Sequence, residues 1–259
     1  MDFFGQIASR IDVFLLIMAR VSGIFLLSPV FSNRVIPRQV KSLFTLLLTV
    51  ILFIGLNLQA PPIPTKTGPF VIYLLGELTI GMIIGFVFQL TFAAVQVAGH
   101  MIDMQIGFSI VSVIDPALGI QAPLVGSFKN LLALLLFLAV NGHHYVLAAL
   151  YQSYHTIPIF GITGVKEASV LMIDLFGNML VAGLKLSMPV VGALFVVEVA
   201  LGIIARTVPE MQIFFVAMPA KIVLGIILLI LVLPAYMATM QYLFEGSYVD
   251  TLKVIKILG

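Results

Sequence analysis

Cysteine is absent from this 259-residue chain, which excludes disulfides and thiolate metal sites while leaving the redox compartment open. Charge is almost as scarce, at 9% of residues where a soluble domain carries roughly 25%. Thirteen basic and eleven acidic residues leave a net charge of +2, too balanced to attract nucleic acid, and no Lys/Arg cluster is interleaved with stacking aromatics. The start, MDFFGQIASRID, lacks the basic opening of a secretory signal, and Arg20 interrupts the apolar region such a signal needs. Phosphate loops, dinucleotide fingerprints and the HExxH pattern are missing, and no nucleophile with a spaced base and orienting acid stands out. The chain is therefore expected not to be an enzyme, with no catalytic, cofactor-binding or metal-ligating residue assigned.

What remains is apolar: 61% of residues are hydrophobic and the mean hydropathy is +1.21. Apolar runs occupy nearly the whole chain and leave no hydrophilic block large enough for a soluble domain, so residues 1–259 read as one integral membrane unit. The expected fold is all-α, a polytopic arrangement of about six hydrophobic helical segments. Ser9 and Asp12 have the spacing of a helix cap, placing a first helix at about Arg10 to Phe31. A second fits Ser42 to Gln59, ended by the rigid APPIPT linker, and a third fits Phe70 to Ala98. Leu131 to Val140 is shorter than the roughly 20 residues a span needs, so a crossing there must include Asn141, Gly142, His143 and His144. Two longer regions follow, near Leu175 to Ala205 and Val208 to Phe244; Thr207 and Glu210 match a capping box around Pro209 and make these a C-terminal helical hairpin. The expected divisions are 10–98 for the N-terminal helices, 99–128 for a broken segment, 129–175 for a helix and connector, and 176–259 for the hairpin and tail.

The broken segment, GHMIDMQIGFSIVSVIDPALGIQAPLVGSF, is too apolar for a solvent loop and too rich in glycine and proline for a spanning helix. Backbone of this kind must be sheltered by protein or water. Its neighbourhood also carries His100 and Asp103 at i, i+3, a pair that could share a proton; the alternative is that Asp103 pairs with a neighbouring chain or with backbone at the end of the third helix, fixing the start of the break.

Charges inside the apolar runs, at Arg20, Glu77, Lys185, Glu198 and Lys221, would each cost about 2.5 to 3.5 kcal/mol at a bilayer centre, so protein partners are expected for them. Lys185 and Glu198 lie thirteen residues apart on one helix and cannot neutralise each other. Arg206 is expected at a helix C-terminus. Gly81 and Gly85, flanked by Gly76, form a GxxxG pair that permits close helix approach. His143 and His144 are adjacent, point about 100 degrees apart on a helix, and suit packing or a helix end better than a metal. Lys and Arg counts favour a cytoplasmic first loop, with Arg34, Arg38 and Lys41.

Taken together, AVQVAGHMIDMQIGFSIVSVIDPALGIQAPLVGSF, LLALLLFLAVNGHHYVLAALYQSY and ALGIIARTVPEMQIFFVAMPAKIVLG resemble the flagellar FliR family of R-type export-gate subunits and its virulence type III secretion counterparts. The resemblance spans essentially the whole chain and is carried by Gly99, Asp103, Gln105 and Gly107, by Asp115, Pro116 and Gly119, by Asn141 to His144, and by Arg206 with Pro209. PEMQIF stands where the family favours PQxNxF, a conservative departure at Glu210 and Gln212.

The resemblance implies a core subunit of a type III protein export gate in the bacterial inner membrane, at the flagellar basal body. Its implied partners are P-type and Q-type subunits (FliP, FliQ), the B-type and A-type export proteins (FlhB, FlhA), unfolded protein substrates and membrane lipids. It implies structural or inter-subunit roles for Gly99, Asp103, Gln105, Asn141, Gly142, Arg206 and Pro209, to which the embedded charges Lys185 and Glu198 are added as structural or inter-subunit candidates, and it places Phe108 to Ile114 in a loop that plugs the pore. A constriction of Phe108, Ile110, Val111, Val113 and Ile114 would block ions by excluding water, with Gly107 and Gly119 supplying mobility and Asp115 and Pro116 a turn. Two other readings stay open: a proton-coupled transporter of a small solute working at His100 and Asp103, and a purely structural nucleator of the gate.

Overall fold

The computed structural model describes residues 10–32, 36–56, 67–108, 123–159, 161–207 and 213–259. Among these, every regular element is an α-helix: α1 (Ile11–Leu27), α2 (Arg38–Leu56), α3 (Thr67–Ile106), α4 (Leu124–Ala139), α5 (Gly142–Thr156), α6 (Val165–Thr207) and α7 (Ile213–Leu258). The all-α expectation holds, and each of the six hydrophobic segments has a helix or a helix pair in its place. Four helices are long and apolar enough to cross a membrane, α2, α3, α6 and α7; the bent pair α4 and α5 makes a fifth if it counts as one span. With 17 residues, α1 falls just short of that length.

Helix ends follow local chemistry more often than the expected boundaries did. Arg10 caps α1 without a side-chain hydrogen bond, so no side-chain cap forms at this position; Ser9 lies outside the described residues. The helix stops four residues earlier than expected because Pro29 drives Ser28 into an extended conformation. Arg38 and Lys41, expected in a loop, lie in the first turn of α2, whereas Arg34 and the APPIPT linker fall outside the described residues. The expected break at 99–128 is shorter on both sides, since α3 continues through Gly99 to Ile106 and α4 begins at Leu124. Between α4 and α5 the axis turns by 66° at Asn141, whose φ of 58° is left-handed, so the chain bends at the NGHH polar run. Thr207 ends α6 and donates its hydroxyl to the carbonyls of Ile203 and Ile204, which replaces the expected N-cap role; Pro209 and Glu210 lie outside the described residues.

The chain divides into two compact units, one of Met1–Leu90, Asn141–Leu175 and Phe244–Gly259, the other of Thr91–Val140 and Phe176–Leu243. In the first, Leu16, Ile17, Val21 and Ile24 of α1 are buried, as are Ile80, Ile84 and Phe88 of α3, Val146 and Leu150 of α5, and Val254 and Ile255 of α7. Glycine makes the α1–α3 crossing possible: a Cβ on Gly81 would collide with the Arg20 carbonyl, and one on Gly23 with that of Leu78. Gly85 meets the Ser28 amide at the same crossing, as expected of a GxxxG pair. In the second unit, Ile102, Ile106, Val125, Val190 and Leu194 form a core against which Phe108, Ile222, Leu228 and Val232 pack.

Candidate functional site

The residues singled out around the break converge in the second unit. Gly107 ends α3 at φ 102°, a conformation that L side chains rarely adopt. The amides of Gly107 and Phe108 both donate to the Asp103 carbonyl, at 3.1 and 3.0 Å, closing the helix end in the manner of a left-handed C-cap. Phe108 sits at the root of the connector, half-buried against the core of Ile102 and Ile106.

The far end of the connector is tied to the same residue. Pro123 occupies the N-cap of α4 and offers no capping side chain, so the first amides of that helix need an acceptor from elsewhere. Asp103 supplies it: its two carboxylate oxygens accept the amides of Val125 at 2.9 Å and Gly126 at 3.0 Å. A carboxylate at a helix N-terminus also meets the positive end of the helix dipole. Gly99, one turn earlier on the same face of α3, lies so close to Gly126 that a Cβ would strike the Gly126 Cα. Gly99 and Asp103 thus staple both ends of the connector side by side. Both Asp103 carboxylate oxygens are thus occupied by backbone amides of α4, while His100 is exposed.

Gln105 reaches away from this staple. Its amide donates to Glu198 Oε2 at 2.9 Å, and Glu198 Oε1 pairs with Lys221 at 3.0 Å, so α3, α6 and α7 share one polar cross-tie. The expectation that Glu198 finds its partner off its own helix is met here. Lys185 is exposed and belongs to none of the ion pairs among the described residues. Arg206 lies in the last turn of α6, the end at which a cation suits the dipole. Ile110, Val111, Val113, Ile114, Asp115, Pro116 and Gly119 lie outside the described residues.

The remaining embedded charges are sealed in the first unit. Arg20 Nε contacts Glu77 Oε2 at 2.6 Å, its other nitrogens donate to Ser153 Oγ at 3.1 Å and the Ile157 carbonyl at 3.3 Å, and its guanidinium lies 4.3 Å from the centre of the Tyr154 ring. Asn141 and Gly142 form the bend, with the His143 and His144 rings 4.3 Å apart just beyond it. One buried charge escaped the sequence reading. Lys129 is buried in α4 with its ammonium 4.6 Å from the Tyr236 ring centre, and the Tyr236 hydroxyl donates to the Lys129 carbonyl at 2.9 Å. Its signal is a single cation in LVGSFKNLLALLLFLA, just ahead of the apolar run from Leu131.

Described residues that form helices alone, several of them apolar and of membrane length and cross-tied by ion pairs, make this an integral membrane protein. This chain belongs to the bacterial export proteins, family 1, whose sequence pattern matches residues 11–247. It is 34% identical to the flagellar biosynthetic protein FliR of Bacillus subtilis over 258 residues, 98% of this chain and 99% of that protein. It is 30% identical to the FliR protein of Escherichia coli, covering 94% and 92% of the two chains, and 31% identical to that of Pectobacterium carotovorum, covering 88% and 87%.

Proposed function

We propose that this membrane protein is the R-type core subunit of the flagellar type III protein export gate, helping to form and seal the channel through which unfolded flagellar proteins cross the inner membrane at the basal body. Family membership and the nearly full-length likeness to flagellar biosynthetic proteins support the apparatus. The observation that supports the sealing role is that Asp103 holds the end of α3 and the start of α4 together, which ties both ends of the chain segment that carries the apolar residues. In this reading Phe108 braces the root while Ile110, Val111, Val113 and Ile114 exclude water from the resting pore, with Gly107, Asp115, Pro116 and Gly119 as hinge and turn.

The proposed neighbours are FliP, FliQ, FlhB and FlhA, with unfolded polypeptide as cargo and lipid at the periphery. The subunit carries no chemistry of its own; energy enters through other subunits or the proton gradient. Helices of 40, 43 and 46 residues are about 60 Å or longer at 1.5 Å per residue, twice a hydrocarbon core of roughly 30 Å, which suits helices that extend beyond the lipid among sister subunits.

Replacing Phe108 and residues 110–114 by Gly or Ser in the co-expressed complex tests the seal. Membranes carrying the variant complex are expected to leak ions. Assembly with unchanged conductance refutes the seal, and loss of assembly with a tight residual pore favours the structural nucleator.

A further inference from the structure

We propose that the Gln105–Glu198–Lys221 cross-tie is a releasable clamp on the root of the connector, closed in the resting protein and opened for a polypeptide to pass. The inference rests on the export reading above and assigns to three named side chains the regulation of that same site.

The clamp is built at the right place. Gln105 stands two residues before Gly107, so whatever holds Gln105 holds the last turn of α3. Lys221 and Gly225 lie one turn apart on α7, and Gly225 receives the buried Ile106 side chain, which a Cβ there would meet at 2.7 Å. The polar tie and this knob-into-groove contact therefore grip two consecutive residues of α3 from the same stretch of α7. Asp103, buried and bonded to two amides of α4, remains as the fixed point about which the last turn can swing.

Exposure distinguishes this tie from the other inter-helix ion pair. The Arg20 and Glu77 side chains are 0% and 3% exposed, and removing either partner would strand a buried charge. Glu198 and Lys221 are 52% and 15% exposed, so the Glu198 carboxylate is open to water and can leave the pair for solvent at less cost than either member of the sealed pair. An exposed carboxylate on the apolar helix α6 is also ill-placed against lipid, which puts this face toward water or polar protein. Ile106, fully buried in the groove at Gly225, reinforces the closed state.

The absence of native cysteine makes the test direct. Gln105→Cys with Glu198→Cys is introduced into the chain, assembled with its P-type and Q-type partners, and treated with a reducible bis-maleimide. Before linking, the variant lacks the tie and the complex is expected to leak ions; after linking, leak stops and export of a flagellar substrate falls by about tenfold or more, because a covalent link cannot open as an ion pair and a hydrogen bond can. Reductant restores both. Export that continues unchanged through a formed link overturns the clamp, and so does failure of the two cysteines to link in the assembled complex. Linking that blocks export while the glycine and serine loop variants stay ion-tight would remove the seal and leave the clamp standing. Leaking loop variants with export unaffected by the link would do the reverse.

Discussion

Arg20 is surrounded so completely that every nitrogen of its guanidinium has a hydrogen-bond acceptor and its face has a ring, which is what allows a full charge to sit buried between apolar helices. Glu77 takes the shortest of these contacts, and Tyr154 in turn donates its hydroxyl to the Ile17 carbonyl at 3.2 Å. Removing one partner exposes the other to an apolar environment, at a cost of about 3 to 5 kcal/mol, whereas removing both leaves only a packing change. Arg20→Met alone is accordingly expected to lower the thermal midpoint and yield of the detergent-solubilised complex sharply, and Arg20→Met with Glu77→Leu to recover more than half of the loss. A double variant no better than the single would mean that Ser153 and Tyr154 carry most of the stability.

At the scale of elements, glycine decides which helices touch backbone to backbone. Gly23 and Gly81 bring α1 against α3, Gly99 and Gly126 bring α3 against α4, and Gly183 brings α6 to within reach of the Ala94 carbonyl of α3, with 3.0 Å left for a Cβ. Gly177, Gly192 and Gly202 on α6 face open space within the chain. Gly81→Ala is expected to destabilise by about 1 to 3 kcal/mol, because the backbone of α1 would have to withdraw, whereas Gly177→Ala is expected to change stability by less than about 1 kcal/mol in the same melting assay. Equal effects at the two positions would refute the crossing as the source of the GxxxG pattern. These crossings explain how much was legible in advance. The GxxxG spacing at Gly81 and Gly85 marks a face visible in one segment, but the Gly99–Gly126 approach joins positions on two different helices, α3 and α4, and has no local spacing to read.

For the whole molecule, the long helices bury little of their apolar length within the chain itself: the most apolar windows of α6 and α7 are 11% and 6% buried. Ile173, Phe176, Leu184 and Val196 recur along α6 with exposed side chains. In the proposed gate, sister subunits cover part of this surface and lipid the rest. Single cysteines at Ile173 and Val196 are expected to react with a water-soluble maleimide in the solubilised chain and to be at least about tenfold protected after assembly with the P-type and Q-type subunits, as a packed protein interface excludes reagent more fully than a detergent collar. Equal labelling in both states would return these faces to lipid.

Hydrophobicity by itself determined that the chain is a helical membrane protein, because without water every backbone amide must be satisfied within its own segment, a constraint written in the length of each apolar run. The same run lengths marked where the apolar helices are interrupted, and single charges in apolar context called for partners at Arg20, Glu77, Glu198 and Lys221, and equally at Lys185, which none of the ion pairs among the described residues includes. Only tertiary structure decided who those partners are: Glu77 lies 57 residues from Arg20, and Gln105 93 residues from Glu198. It also decided that Asp103 caps the far side of the connector, where Pro123 could not cap itself. Helix propensity and hydropathy are sums over neighbours in sequence, but a hydrogen bond between helices depends on crossing position and rotation, which no local pattern contains.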